Sequence, residues 1–169
     1  AEIIEESFQD KLEMFYFDLA VHYDMSGNNE KAIKFLMLAG LKNFFIFDYT
    51  HASECFERIT TIVEADKIYK KALNSSNSKE IKGEDKNTLN NYIKSKLYIG
   101  KILLSTGQWD DGLKILEPLK KKLSHICYET VYETYFSIGK TYALKRQHEK
   151  AVENFKESLA IAKNNNYQI

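Results

Sequence analysis

Tyr16, Leu19, Ala20 and Tyr23 stand at i, i+3, i+4 and i+7, and the pattern returns as Lys96, Ile99, Gly100 and Leu103 and as Tyr135, Ile138, Gly139 and Tyr142. That spacing puts the four residues of each set on one face of an α-helix. After a short break each set is followed by a second one: Ala32, Leu36 and Ala39, then Gly112, Leu116 and Leu119, then Ala151, Phe155 and Ser158. A chain that repeats helix, break, helix must bury each unit's apolar face against a neighbour, because one hairpin cannot cover it alone. The middle copy replaces its leading aromatic with Lys96 and keeps the face.

The sizes of these residues indicate how the helices meet. Ala20, Gly100 and Gly139 are small and are opposed by Ala32, Gly112 and Ala151, so two backbones approach closely where they cross. Tyr23, Tyr142, Leu36 and Phe155 fill the flanks. Ser26-Gly27-Asn28-Asn29 and Thr106-Gly107-Gln108 supply a helix-ending glycine, with Asn or Asp nearby to cap the next helix. A further second-helix signature at Ala52, Phe56 and Ile59 predicts a degenerate unit whose first helix is abbreviated to residues 42–48. The helix then continues through Ile62, Val63, Asp66, Tyr69 and Leu73. Periodicity is lost over Asn74-Ser75-Ser76-Asn77-Ser78 and the charged stretch to Lys86, which predicts an exposed loop. The expected organisation is helix pairs over 1–73, a loop over 74–87 and helix pairs over 88–169, forming one continuous array.

Composition supports helices and narrows the partners. One proline and seven glycines leave little material for the turns of an all-β sandwich or barrel. Lys plus Arg and Asp plus Glu are both 24, so the formal charge is zero, which argues against a nucleic-acid partner. The longest apolar run, Phe44-Phe45-Ile46-Phe47, falls far short of a bilayer span, so membrane insertion is not expected. Glu2, Glu5 and Glu6 occupy the place of a secretory signal's positive region. Cys55 and Cys127 form no CxxC pattern, and a reducing compartment, the cytoplasm or a cytosolic extension such as a cytoskeletal compartment, is the expected location.

The repeated faces resemble the tetratricopeptide repeat, a unit of about 34 residues with a Trp/Leu/Gly/Tyr face followed by Ala, Phe and Ala. The resemblance implies an all-α fold, an α-solenoid of antiparallel helix pairs wound as a right-handed superhelix, and a role in binding protein. It also implies a groove lined by first-helix positions beside the packing face: Met14, Phe17, Val21 and Met25, then Lys94, Leu97, Lys101 and Leu104, then Glu133, Phe136, Lys140 and Leu144. Of these, Phe17, Val21, Met25, Leu97, Lys101, Leu104, Phe136 and Lys140 are the expected protein-binding residues. They suit an amphipathic helix or an extended apolar segment, with Lys101 and Lys140 selecting acidic flanks. Burial of several of them by neighbouring repeats is the competing reading. The places where some members carry a carboxylate clamp hold Phe17, Val21, Leu97, Glu133 and Ser137, which argues against that mode. The phrase from Leu19 to Ile59 is similar to the helical arrays that follow ATPase modules in large signalling proteins, including relatives of soluble adenylyl cyclase.

Chemistry-bearing residues do not converge. His51 and Cys55 lie four apart on one helix, a spacing that could share a metal, but a zinc site needs about four ligands and no second pair is visible. His125 and Cys127 are two apart and point in different directions on a helix. Gly139-Lys140-Thr141 lacks the upstream glycine of a phosphate loop and is better explained by the helix crossing. Lys120-Lys121-Lys122 reads as a solvated helix end, with a docking patch for an acidic partner as the alternative. The chain is therefore expected to be a non-catalytic scaffold with no metal and no cofactor, or else a regulatory helical segment of a larger signalling ATPase or nucleotide cyclase. Apolar stripes at Ile3, Ile4, Phe8, Leu12 and Phe15 and at Val152, Phe155, Leu159 and Ile161 imply that it belongs to a larger chain or complex.

Overall fold

In the computed structural model, which describes residues 9–66, 83–120 and 128–164, three of the helix-joining turns contain glycine, asparagine or aspartate and a fourth, at 145–147, contains none of them. A short 3-10 segment, Gln9–Met14, precedes α1 (Tyr16–Met25), α2 (Asn29–Phe45) and α3 (Tyr49–Ala65). Then come α4 (Gly83–Ser105), α5 (Trp109–Leu116), α6 (Tyr128–Leu144) and α7 (His148–Asn164). The described residues contain no strand, and the helices pack as adjacent pairs in an all-α, tetratricopeptide-like fold. The chain divides into two compact units between Ser95 and Lys96, within α4.

Four hairpins share one turn. The three-residue connections α1–α2, α2–α3, α4–α5 and α6–α7 each place their middle residue in the left-handed region: Gly27 at φ 75°, Phe47 at 64°, Gly107 at 82° and Arg146 at 58°. That residue's N–H donates three residues back, Gly27 to Asp24 O at 3.0 Å and Arg146 to Ala143 O at 3.0 Å. The next N–H donates five back, Asn28 to Tyr23 O and Gln147 to Tyr142 O, both at 2.9 Å. These are the two bonds of a Schellman helix end, which satisfy carbonyls that the helix itself leaves open. The following residue caps the next helix where its chemistry permits: Asn28 Oδ1 accepts from Lys31 N at 3.1 Å and Asp48 Oδ1 from His51 N at 3.3 Å. A side chain with a Cβ costs about 1–2 kcal/mol in that left-handed conformation, and Phe47 and Arg146 both carry that strain.

Packing inside each hairpin follows from one offset. Ala20, Gly40, Gly100 and Gly139 lie sixteen positions before Leu36, Phe56, Leu116 and Phe155. A Cβ on Gly40 would stand 2.7 Å from the Phe56 ring, one on Gly100 2.5 Å from Leu116 and one on Gly139 2.8 Å from Phe155. The large side chain of the second helix therefore occupies the space that a first-helix side chain would need. Twelve positions after each small residue come Ala32, Ala52, Gly112 and Ala151, all buried.

Gly40 corrects the sequence reading of the degenerate repeat. No abbreviated helix occupies residues 42–48: α2 runs unbroken to Phe45, and residues 46–48 are the turn. α2 closes one hairpin through Leu36 and opens the next through Gly40, so two units share a helix. Their registers are offset by 20 positions, from Ala20 to Gly40, and a search near the 34-residue period passes over them. The expected loop also ends sooner, because α4 already begins at Gly83. Lys86 and Asn87 in its first turns are exposed, so that stretch lacks the apolar period by which a helix is read from sequence. Residues 67–82, which include Tyr69, Leu73 and the rest of that loop, lie outside the described residues. Ile3, Ile4, Phe8, His125, Cys127, Lys121 and Lys122 do as well.

Three substitutions test this account. Gly139→Leu forces volume against the Phe155 ring and is expected to lower stability by about 1–3 kcal/mol or more. Lys156→Ala on the exposed side of α7 should stay within about 0.5 kcal/mol, and chemical denaturation of both compares them. Phe47→Gly removes left-handed strain at an exposed turn and should raise stability by up to about 1 kcal/mol. An unchanged or lower melting temperature for Phe47→Gly would contradict the turn assignment.

Candidate protein-binding surface

α1 is apolar on two sides. Leu19, Ala20 and Tyr23 face α2 and are buried, Tyr23 stacking on Phe35 with ring centroids 5.8 Å apart. On the other side Phe17, Val21 and Met25 recur every four residues and are exposed at 48 %, 40 % and 82 %, with Met14 exposed just before them. A helix that buried only one face would normally carry polar residues there. Arg58 on α3 braces the end of α1 by pairing its guanidinium with Asp24 Oδ2 at 2.6 Å.

In the second unit the expected groove residues part company. Phe136 and Lys140 are exposed one turn apart on α6, and Leu144 continues their line. Phe136 stacks on Tyr132 at 6.0 Å and leans on Phe155 at 5.8 Å. Leu97 is only 1 % exposed: it is a core side chain and is unavailable to a partner. Lys101 is held inside the unit, its Nζ 2.8 Å from Glu133 Oε2 and 4.9 Å above the Tyr98 ring, so it is not a free selector of acidic flanks. That arrangement, with burial as the larger cause, pushes the Tyr98 phenol up to about 12. Leu104 is half-buried, its Cδ2 lying where a Cβ on Gly112 would stand. Phe17, Val21 and Met25 thus share one helix and Phe136 and Lys140 another, while Leu97 is buried and Lys101 is paired with Glu133.

One exposed apolar feature was not assigned to a surface from sequence. Phe45, Ile46 and Phe47 are exposed where α2 turns into α3, Phe47 at 76 %. The signal was the same run weighed above only as a membrane span; its position at a helix end followed by Asp48 is what marks a turn.

His51 and Cys55 do not share a site. Cys55 is buried in α3, and burial pushes its thiol up to about 11. His51 is exposed and its Nδ1 lies 2.7 Å from Asp48 Oδ2. The hydrogen bond to Asp48 raises the His51 pKa from its ordinary value, and the reciprocal bond lowers that of Asp48. Gly139-Lys140-Thr141 is helical: Thr141 Oγ1 donates to Ser137 O at 2.8 Å, and Gly139 sits against Phe155.

The α6–α7 hairpin thus combines a small residue at the crossing, a large one sixteen later and a Schellman turn between them. Residues 132–165 match the tetratricopeptide repeat family. That match covers this hairpin, one of the four that share the same offset and turn. No curated protein and no solved structure matches the chain, so the likeness to arrays that follow ATPase modules has no counterpart among these comparisons.

The His51–Asp48 pair makes a pH prediction. Because the folded His51 pKa is raised, its contribution to stability is present below the unfolded value of about 6.5 and is lost as pH rises through the folded pKa. A nuclear magnetic resonance titration should place His51 above that value, and Asp48→Asn should return it. Cys55 should resist alkylation in the native protein and react once it is unfolded.

Proposed function

We propose that this chain is a non-catalytic scaffold that binds a segment of another protein, and that the exposed face of α1 is a principal contact. The observation that carries this reading is the second apolar face of α1, where Phe17, Val21 and Met25 offer one side chain per helical turn. Such a stripe fits an amphipathic helix or an extended apolar segment, whose own apolar side chains leave water on docking. Phe136 and Leu144 flanking Lys140 offer a second contact, with the lysine favouring an acidic neighbour in the partner. Aromatic side chains at such places bring large area at little conformational cost.

The balanced charge and the absence of a helix long and apolar enough to cross a membrane among the described residues are compatible with this role. We read residues 1–73 and 88–169 as parts of one array acting in the cytoplasm, within a larger chain or complex. Val152 and Leu159, exposed seven apart on α7, support further packing against that helix. The phrase from Leu19 to Ile59 supports a second reading, a regulatory segment of a larger signalling ATPase or cyclase. A nucleotide-binding or cyclase motif in the same polypeptide would decide for it.

The test is affinity capture with the wild-type chain and with Phe17→Asp/Met25→Asp. Both sites are exposed, so the variant should keep its melting temperature while its bound partner falls by about tenfold or more, the loss expected for central apolar contacts. Undiminished capture by a folded variant would remove α1 from the binding surface.

A further inference from the structure

The first unit also holds a cavity of about 280 Å³ between the start of α2 and the first half of α4. Its walls carry Glu30 and Lys34 from α2 and Asn87, Asn90, Asn91 and Lys94 from α4. Ile33 and Thr88 also line it and are buried, so they form its floor. Tyr92 Oη, donating to Glu64 Oε1 at 2.9 Å, ties this half of α4 to α3.

The polar groups of the cavity are uncommitted. Four lysines elsewhere are paired: Lys101 with Glu133, Lys114 with Asp111, Lys120 with Glu117 and Lys145 with Asp110. Among the described residues, the side chains of Glu30, Asn87, Asn90, Asn91 and Lys94 engage no hydrogen bond or ion pair. The Lys34 ammonium lies 5.4 Å from the Phe35 ring centroid without a carboxylate. Two lysines against one glutamate leave the walls one positive charge in excess.

The spacing of these groups selects a ligand. Asn87, Asn91 and Lys94 fall at i, i+4 and i+7 on one side of α4. At 1.5 Å per residue the two asparagines are about 6 Å apart along the helix, close to the roughly 6.8 Å between alternate residues of an extended chain. A carboxamide both donates and accepts, and so complements a peptide N–H and C=O together. A bound helix has satisfied those groups internally and would leave the asparagines without a role. The excess positive charge favours a carboxylate, and a cavity just below the usual ligand-pocket range of about 300–1,000 Å³ admits a few residues rather than a domain.

We propose that this cavity binds a short, extended, acidic segment of a protein partner, with Asn87 and Asn91 pairing its backbone and Lys34 and Lys94 its carboxylate. The proposal rests on the scaffold reading and adds a polar, sequence-selective site to the apolar face of α1. Titration of the full chain, labelled with nitrogen-15, with acetyl-Gly-Asp-Gly-Asp-Gly-amide tests it. The side-chain amide signals of Asn87 and Asn91 should shift saturably, and acetyl-Gly-Asn-Gly-Asn-Gly-amide should bind about tenfold more weakly or less tightly still. Asn91→Ala improves helix propensity at a half-exposed position, so it should stay folded and lose about fivefold or more in affinity, as should Lys94→Gln. Equal binding of the two peptides, no shift up to about 10 mM peptide, or identical shifts with inorganic phosphate alone would each overturn it. Phe17→Asp/Met25→Asp should leave this titration unchanged, so failure of the cavity and failure of the α1 face are separable.

Discussion

The close crossing of paired helices, where a glycine or alanine on one receives a leucine or phenylalanine from the next, is the interaction on which the rest of the structure depends. With side chains at Gly40, Gly100 and Gly139 the packing would have to shift, since Phe56, Leu116 and Phe155 already occupy the space. Packed interiors have no slack to absorb such a shift. The crossing also sets which residues remain outside. Because Ala20 fixes the side of α1 that meets α2, Phe17, Val21 and Met25 are left on the other.

The turn keeps that crossing in register. Three residues join each pair, and the Schellman bonds hold the chain so that the large side chain arrives sixteen positions after the small one. Glycine occupies the left-handed position at two turns, and Phe47 and Arg146 adopt it at the other two against their steric preference. The geometry is thus imposed by packing on both sides and not by local propensity alone. At Phe47 the result is an exposed apolar cluster, Phe45, Ile46 and Phe47, at the end of a hairpin.

Charge is distributed according to the same logic. Lys101–Glu133 and Lys145–Asp110 connect different helices of the second unit, and Arg58–Asp24 connects α1 with α3. Exposed pairs of this sort are weakened by solvent screening, so their value lies in orienting neighbouring segments more than in total stability. A lysine engaged in bracing is withdrawn from recognition, which is why Lys101 differs from Lys94 although both stand on α4.

The sequence by itself determined the helical class, three of the four hairpins and the glycine-ended turns at Gly27 and Gly107. The faces are local, read from residues within about two helical turns of each other, where spacing reads directly as direction, and the hairpins follow from the recurrence of those faces along the chain. Only the tertiary structure decided that α2 serves two hairpins, since Gly40 acquires its meaning from Phe56 on the next helix. Tertiary structure likewise placed Leu97 in the core, paired Lys101 with Glu133 and brought Lys34 beside Asn87, Asn91 and Lys94. Each of these depends on which helix lies opposite, and periodicity along one helix reports the direction of a side chain but not what it meets.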